Sequence, residues 1–192
     1  MKTYSRILLF IPVLLLTGCM VSSLNPIYTD KDLVFRPELI GNWQGDGAEE
    51  VLTFEQGSEP KTYRITLPSE GKTLTLSGHL TELNGKTYLD LTVADMPDSK
   101  LLPEVTFLTP IHLFFEIEVN GDTLRWRSMS SEWAKERREK HHLWISHQAN
   151  DGSTLLTADT PRVQRFLRRW QNEKDAWSDW TETQRAPASL KK

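Results

Sequence analysis

The chain has 192 residues, of which 38% are apolar and 26% are charged, and this balance excludes a polytopic membrane protein and a wholly disordered chain. Removing a leader of 18 residues from the 192 would leave 174, which suits one domain with one core. Because Lys2 and Arg6 lie in that leader, the remainder carries 21 basic and 26 acidic residues. This acidic balance argues against nucleic-acid binding, which needs an excess of positive charge to neutralise phosphates.

The first 18 residues have the pattern of a secretory signal peptide. Lys2 and Arg6 precede a ten-residue apolar run at positions 7–16 that Pro12 alone interrupts. Ten residues are too few to cross a bilayer, which takes about 20 in a helix. The run therefore predicts a cleaved leader rather than a membrane span.

The leader ends in a cysteine motif. Leu16-Thr17-Gly18-Cys19 resembles the lipobox of bacterial lipoproteins. The resemblance implies that the Cys19 thiol receives a diacylglycerol, that the chain is cut after Gly18, and that the new amino group is acylated, with palmitate as the expected chain. The alternative is an ordinary signal peptide followed by chance by a cysteine. Cys19 is the only cysteine, so lipidation would leave neither a free thiol nor a disulfide.

The residues after the cysteine bear on localisation. In the sorting of Gram-negative lipoproteins an aspartate at this position favours the inner membrane, so Met20 implies the outer membrane, with the domain on the periplasmic side. Residues 19–32 are polar and broken by Asn25-Pro26, which predicts a lipidated N-terminus and a short tether. Residues 25–35, together with Gly41-Asn42-Trp43, also resemble the start of a group of uncharacterised bacterial lipoproteins.

Strand patterns dominate the remainder. The two clearest are hairpins, one at 74–93 around Asn84-Gly85 and one at 112–129 around Asn120-Gly121. The second turn would pair Phe115 with Trp126, Ile117 with Leu124 and Glu116 with Arg125. Further strands are predicted at 39–45, 50–55, 62–67, 105–108, 141–148 and 153–156. Strands in direct succession predict a mainly β domain, an antiparallel barrel or curved meander sheet, with a C-terminal amphipathic helix.

Two helices are predicted. Residues 131–140 are highly charged and follow a cap at Ser130 or Ser131. The second begins at Thr160 as the cap, and it places four apolar side chains on one stripe, Val163, Phe166, Leu167 and Trp170. Its arginine face predicts either a solvated surface or a contact with anionic headgroups. The division is then a signal peptide at 1–18, the tether at 19–32, one domain at 33–182 and a frayed tail at 183–192.

No residue pattern indicates catalysis. A serine elbow and a zinc-peptidase motif are absent from the sequence, and both Gly-Lys-Thr triplets lack the earlier glycine of a P-loop. On a strand His141 and His147 would lie about 20 Å apart and His142 would point to the opposite face, so the three would not bind one metal ion. His79 would face Asp90 across the first hairpin, either as a surface contact or as a functional dyad. We expect no enzyme, no metal and no cofactor.

Gly41-Asn42-Trp43 is similar to the Gly-x-Trp on the first strand of lipocalins, where the tryptophan closes one end of the barrel. The resemblance implies a lipocalin-like binder of a small hydrophobic ligand, with Trp43, Phe115 and Trp126 as ligand or core residues. The favoured hypothesis is a non-enzymatic interaction or structural module of the cell envelope that meets a protein partner on its outer surface. A hollow barrel interior would favour the ligand binder, and a packed interior would favour the interaction module.

Overall fold

The computed structural model describes residues 20–45, 51–69, 72–94, 111–150 and 152–186. The strands are β1 Val21–Ser23, β2 Leu33–Val34, β3 Gly41–Gly45, β4 Val51–Gln56, β5 Thr62–Ser69, β6 Lys72–Leu83, β7 Lys86–Val93, β8 His112–Asn120, β9 Thr123–Ser128, β10 His147–Asn150, β11 Ser153–Leu156 and β12 Thr181–Arg185. The helices are α1 Ser131–Glu139 and α2 Thr160–Trp170, and short 3₁₀ turns occupy Pro37–Leu39 and Lys174–Ala176.

Eight strands form a closed antiparallel barrel. β3 to β9 pair in succession, and β12 pairs with both β9 and β3 and thereby closes the ring. The predicted mainly β fold with an antiparallel barrel is confirmed. Closure also removes the unpaired edges that an open sheet would expose.

Both predicted hairpins are present, but the pairing register is as predicted only in the first. The first has the predicted register, with Leu80 opposite Leu89, because Asn84 and Gly85 both take the positive φ of a tight two-residue turn. The second is shifted by two residues, so that Glu116 pairs with Arg127 and not with Arg125. The reason is that the turn residues are Gly121 and Asp122, and only Gly121 has a positive φ. A shift of two leaves every side chain on its predicted face.

The inward-facing side chains form one hydrophobic cluster. It contains Leu39, Trp43, Phe54, Tyr63, Ile65, Leu67, Leu76, Leu80, Leu89, Leu91, Phe115, Ile117 and Leu124, with Trp126 packed against it. Phe115 and Trp126 still meet edge to face, with ring centroids 5.5 Å apart, although they are not directly paired. A Cβ added at Gly78 would lie 2.6 Å from the Ile65 Cδ1. The interior is therefore closely packed at this point.

A second layer covers one side of the barrel. β1 pairs with β8, and β11 runs parallel to β1 and forms a hairpin with β10. Both helices pack with this sheet extension around the outward side chains of β7 and β8, among them Tyr88 and Phe114. We call this buried layer the flanking core. The stripe predicted on α2 lies in it, since Val163, Phe166, Leu167 and Trp170 are all buried.

Both predicted ends of the domain need correction. Residues 20–32 are not a free tether, because Val21–Ser23 is a buried strand and Ile27 is fully buried. At the other end the boundary at residue 182 is wrong, because β12 continues to Arg185 and closes the barrel. The rest of the predicted tail, 187–192, lies outside the described residues.

Other predicted elements are confirmed in part. α1 begins after Ser130, whose hydroxyl accepts a hydrogen bond from the Trp133 backbone N–H. α2 is capped by Asp159 rather than by Thr160. The predicted strand at 141–148 is wrong over residues 141–146, since β10 starts at His147. The predicted strand at 105–108 lies outside the described residues.

Candidate functional site

A groove of about 870 Å³ lies outside the barrel, between α2 and residues 143–146. Four arginines of α2 line one side, and Trp144 and its neighbours line the other. We call it the arginine–tryptophan groove. None of its lining residues belongs to a barrel strand, so a ligand can enter it without entering the barrel.

The groove follows from the amphipathic sequence of α2. The Asp159 carboxylate accepts a hydrogen bond from the Arg162 backbone N–H, and Pro161 fits the first turn. Burial of the apolar stripe turns Arg162, Arg165 and Arg169 outward, with Arg168 half-buried. The sequence predicts this basic face correctly, but it does not predict the opposite side of the groove.

The positive charge of the groove is weakly compensated. Within the described part of the chain, Arg165, Arg168 and Arg169 form no ion pair, and Arg162 lies 3.9 Å from an exposed Asp159. Exposed pairs of this kind contribute little to stability. Arg162 also lies in the first turn, where the helix dipole disfavours a cation and where no acidic residue is present. The groove therefore offers guanidinium groups to an external anion.

Trp144 faces solvent on the opposite side of the groove. It is 64% exposed, whereas Leu143 before it is buried and Ile145 after it packs on the flanking core. Its backbone has φ 48°, a conformation that costs a bulky residue energy. The Arg169 guanidinium lies 4.6 Å from its ring centroid, a cation–π contact that holds the ring at the groove.

A second candidate site is the Asp90 cluster beneath the N-terminal segment. The structure places His79 opposite Asp90, as predicted, and adds His112, whose Nδ1 lies 2.6 Å from the Asp90 Oδ1. The other carboxylate oxygen accepts a hydrogen bond from the Ile27 N–H at 2.9 Å. Asp90 is fully buried, so these two contacts satisfy a charge that would otherwise be costly.

Aromatic stacking completes the Asp90 cluster. The Tyr28 ring stacks on His79 with centroids 4.4 Å apart. Burial, followed by the charge of Asp90, raises the pKa of Tyr28 to about 12, while burial lowers the pKa of the His79 imidazole. Tyr28 therefore stays protonated and His79 stays neutral at pH 7. The cluster holds residues 27–28 onto the barrel, and we assign it a structural role.

A third polar cluster joins the C-terminal segment to the barrel. The buried Glu116 accepts two hydrogen bonds from Arg127, at 2.7 and 3.0 Å, and lies 3.0 Å from the Lys86 Nζ. Lys86 also donates to the Gln171 carbonyl at 2.6 Å, just after α2. This ion pair is enclosed between strands and α2, and it too is structural.

One end of the barrel is covered by Arg185, which sequence reasoning missed. Its guanidinium lies 4.3 Å from the Trp43 ring centroid and donates to the carbonyls of Ile40 and Glu38 at 3.0 and 2.7 Å. Trp43 is fully buried beneath it. Of the predicted ligand or core residues, Trp43 and Phe115 lie in the interior cluster and Trp126 packs against it.

The remaining sequence predictions concern anchoring and metals. Cys19 lies outside the described residues. Among the residues described, no helix is long and apolar enough to cross a membrane. In the same residues, no group of three or more His, Cys, Asp or Glu side chains, the Asp90 cluster included, is arranged to hold a metal ion. Trp144 was missed as well, because the pattern around it suggested a strand.

In comparisons with known proteins, no family model, no curated protein and no solved structure matches this chain.

Proposed function

We propose that this protein is a lipoprotein of the cell envelope, anchored by a lipid on Cys19 to the outer membrane on its periplasmic side, and that its domain is a non-enzymatic interaction module. The leader, the Leu16-Thr17-Gly18-Cys19 motif and Met20 support the anchor and its location. The arginine–tryptophan groove supports the interaction. Its ligand is anionic and has an apolar or planar part that contacts Trp144.

The position of the groove outside the barrel favours ligand binding on the outer surface over ligand binding in a lipocalin-like interior. The inward side chains pack against one another, and Trp43, Tyr63 and Phe54 among them are almost fully buried. By contrast, the groove is open to solvent and has a tryptophan that is 64% exposed on its rim. A binder of small apolar molecules would need enclosed space inside the barrel.

The anchor is tested with the full-length chain. Cells given labelled palmitate should incorporate it into the wild-type protein and not into Cys19→Ser, since no second cysteine exists. Met20→Asp should move the protein to the inner-membrane fraction, and Met20→Asn, which also removes the apolar side chain, serves as its control. Label in Cys19→Ser protein would refute lipidation at Cys19.

The interaction surface is tested in whole cells by photocrosslinking. A benzophenone amino acid replacing Trp144 should form adducts that become rarer when Arg165→Gln and Arg169→Gln are added. The same residue replacing Val93, which is 45% exposed and does not line the groove, is the matched control. Equal adduct formation from both positions would refute the groove as the binding surface.

A further inference from the structure

The groove lies close to the first described residue. The Met20 carbonyl accepts a hydrogen bond from the Thr154 N–H, and the Ser146 carbonyl accepts one from the Thr157 N–H. β1 and the segment before β10 flank β11 on opposite sides. Met20 and Ser146 are therefore offset by three residues along β11 and by two strand spacings across the sheet. Together these offsets correspond to a distance of about 15 Å. Because the Met20 carbonyl is hydrogen-bonded to β11 and β1 begins at the next residue, no tether separates Met20 from the groove.

The charge of the groove is local. The whole chain has a formal net charge of −3, but four arginines lie within three turns of α2. Since the screening length at physiological salt is about 8 Å, nearby charges decide what binds here. A guanidinium group also matches a phosphate oxygen pair in shape and hydrogen bonding.

Trp144 indicates where such phosphates lie. A tryptophan ring is favoured at the headgroup level of a bilayer, where its apolar face and its N–H are both satisfied. The buried Leu143 before it and the packed Ile145 after it hold Trp144 outward, so its exposure is built into the fold. An exposed tryptophan beside four arginines combines the two features that an anionic membrane surface selects.

We infer that the arginine–tryptophan groove docks on the anionic phospholipid headgroups of the bilayer that holds the lipid anchor. This inference rests on the proposed anchoring through Cys19. Met20, the residue after the anchor, and Ser146 in the groove lie about 15 Å apart, so the two attachments restrict how the barrel can tilt on the membrane.

The test uses full-length lipidated protein reconstituted in vesicles. Ser146→Cys, at an exposed position in the groove, provides a single free thiol for an environment-sensitive fluorophore, because Cys19 is blocked by lipid. We expect a blue-shifted, stronger emission in phosphatidylcholine vesicles containing phosphatidylglycerol than in phosphatidylcholine alone. Both vesicles retain the anchor, so the difference isolates the anionic headgroup.

Variants in the labelled protein identify the groups responsible. Each near-surface cation contributes about a fivefold factor, so Arg165→Gln with Arg169→Gln should weaken docking about 30-fold in a phosphatidylglycerol titration. Lys61→Gln with Lys174→Gln removes the same charge outside the groove and should change it little. Trp144→Ala should lower the emission response in the same vesicles.

Each failure has a distinct signature. Uptake of the thiol dye by protein without Ser146→Cys would refute the lipid anchor itself. If the protein stays on the vesicles but its emission is the same with and without phosphatidylglycerol, docking is refuted and the anchor is not. An equal response to inorganic phosphate with phosphatidylcholine vesicles would assign the groove to a free anion. If photocrosslinking from position 144 in cells yields adducts with proteins and none with lipids, the groove binds a protein partner.

Discussion

Leu167 tests how α2 is attached to the barrel. Its side chain is fully buried in the flanking core. Replacement by Ala preserves helix propensity, so the loss is that of packing alone. A buried Leu→Ala change costs about 2–5 kcal/mol, because the cavity collapses only partly. Each kcal/mol lowers the Tm of a domain of this size by about 2–4 °C, so Leu167→Ala should lower Tm by about 10 °C.

Thermal unfolding of the full-length protein, followed by circular dichroism, measures this loss. Arg165→Ala is the matched control on the exposed face of the same helix, and it should change Tm by less than about 2 °C. A helix that merely rests on the barrel and detaches to meet a partner would give equal melting curves for both variants. That result would refute the claim that α2 is an integral part of the domain.

Three further changes address the barrel and the Asp90 cluster. Gly78→Ala places a methyl group against Ile65 and should lower stability in a urea titration by about 1–3 kcal/mol, whereas an unchanged midpoint would indicate free space inside the barrel. Arg185→Gln should speed the solvent exchange of the Trp43 indole N–H measured by NMR, since it uncovers that ring, and an unchanged exchange rate would contradict the covering role. Burial lowers the pKa of His79 in the folded protein, so the unfolded chain takes up a proton more readily. Stability should therefore fall as pH drops below about 6.5. His79→Phe should flatten the change in Tm between pH 7.5 and 5.5, and the exposed His142→Phe should not; equal slopes in all three proteins would exclude His79 as the cause.

The parts of the fold that local chemistry determines could be predicted from sequence. Asn84-Gly85 defines its turn because both residues accept positive φ, and the register of that hairpin follows. Asn120-Gly121-Asp122 offers two adjacent turns, and a local pattern does not decide between them. Here Arg185 decides, since its backbone N–H and its side chain both bond to Asp122.

The parts missed depend on contacts between distant residues. β1 and β12 are short and polar in sequence. β1 is a strand only because β11 and β8 supply its hydrogen bonds, and β12 only because β9 and β3 do. Trp144 lay within the predicted strand at 141–148, and only the packing of its two neighbours, Leu143 and Ile145, turns it outward. The arginine face of α2 was visible from helical periodicity alone, so half of the groove was predictable.

The flanking core explains why the groove has a fixed shape. β7 and β8 are covered on both faces, so their outward polar residues Asp90 and Glu116 are buried and need partners. In the N-terminal segment, the Ile27 N–H donates a hydrogen bond to Asp90. Lys86, which pairs with Glu116, also donates a hydrogen bond to the carbonyl of Gln171, the residue after α2. Removing the N-terminal segment would take one hydrogen-bond partner from the buried Asp90, and removing the residue after α2 would take one from Lys86. On the arginine side of the groove, α2 is held at its C-terminal end by the Lys86 bond to Gln171 and on its buried face by Gln164, which donates to the Ile27 carbonyl. On the opposite side, the Ser146 carbonyl accepts the Thr157 N–H, and Leu143 and Ile145 pack on the flanking core.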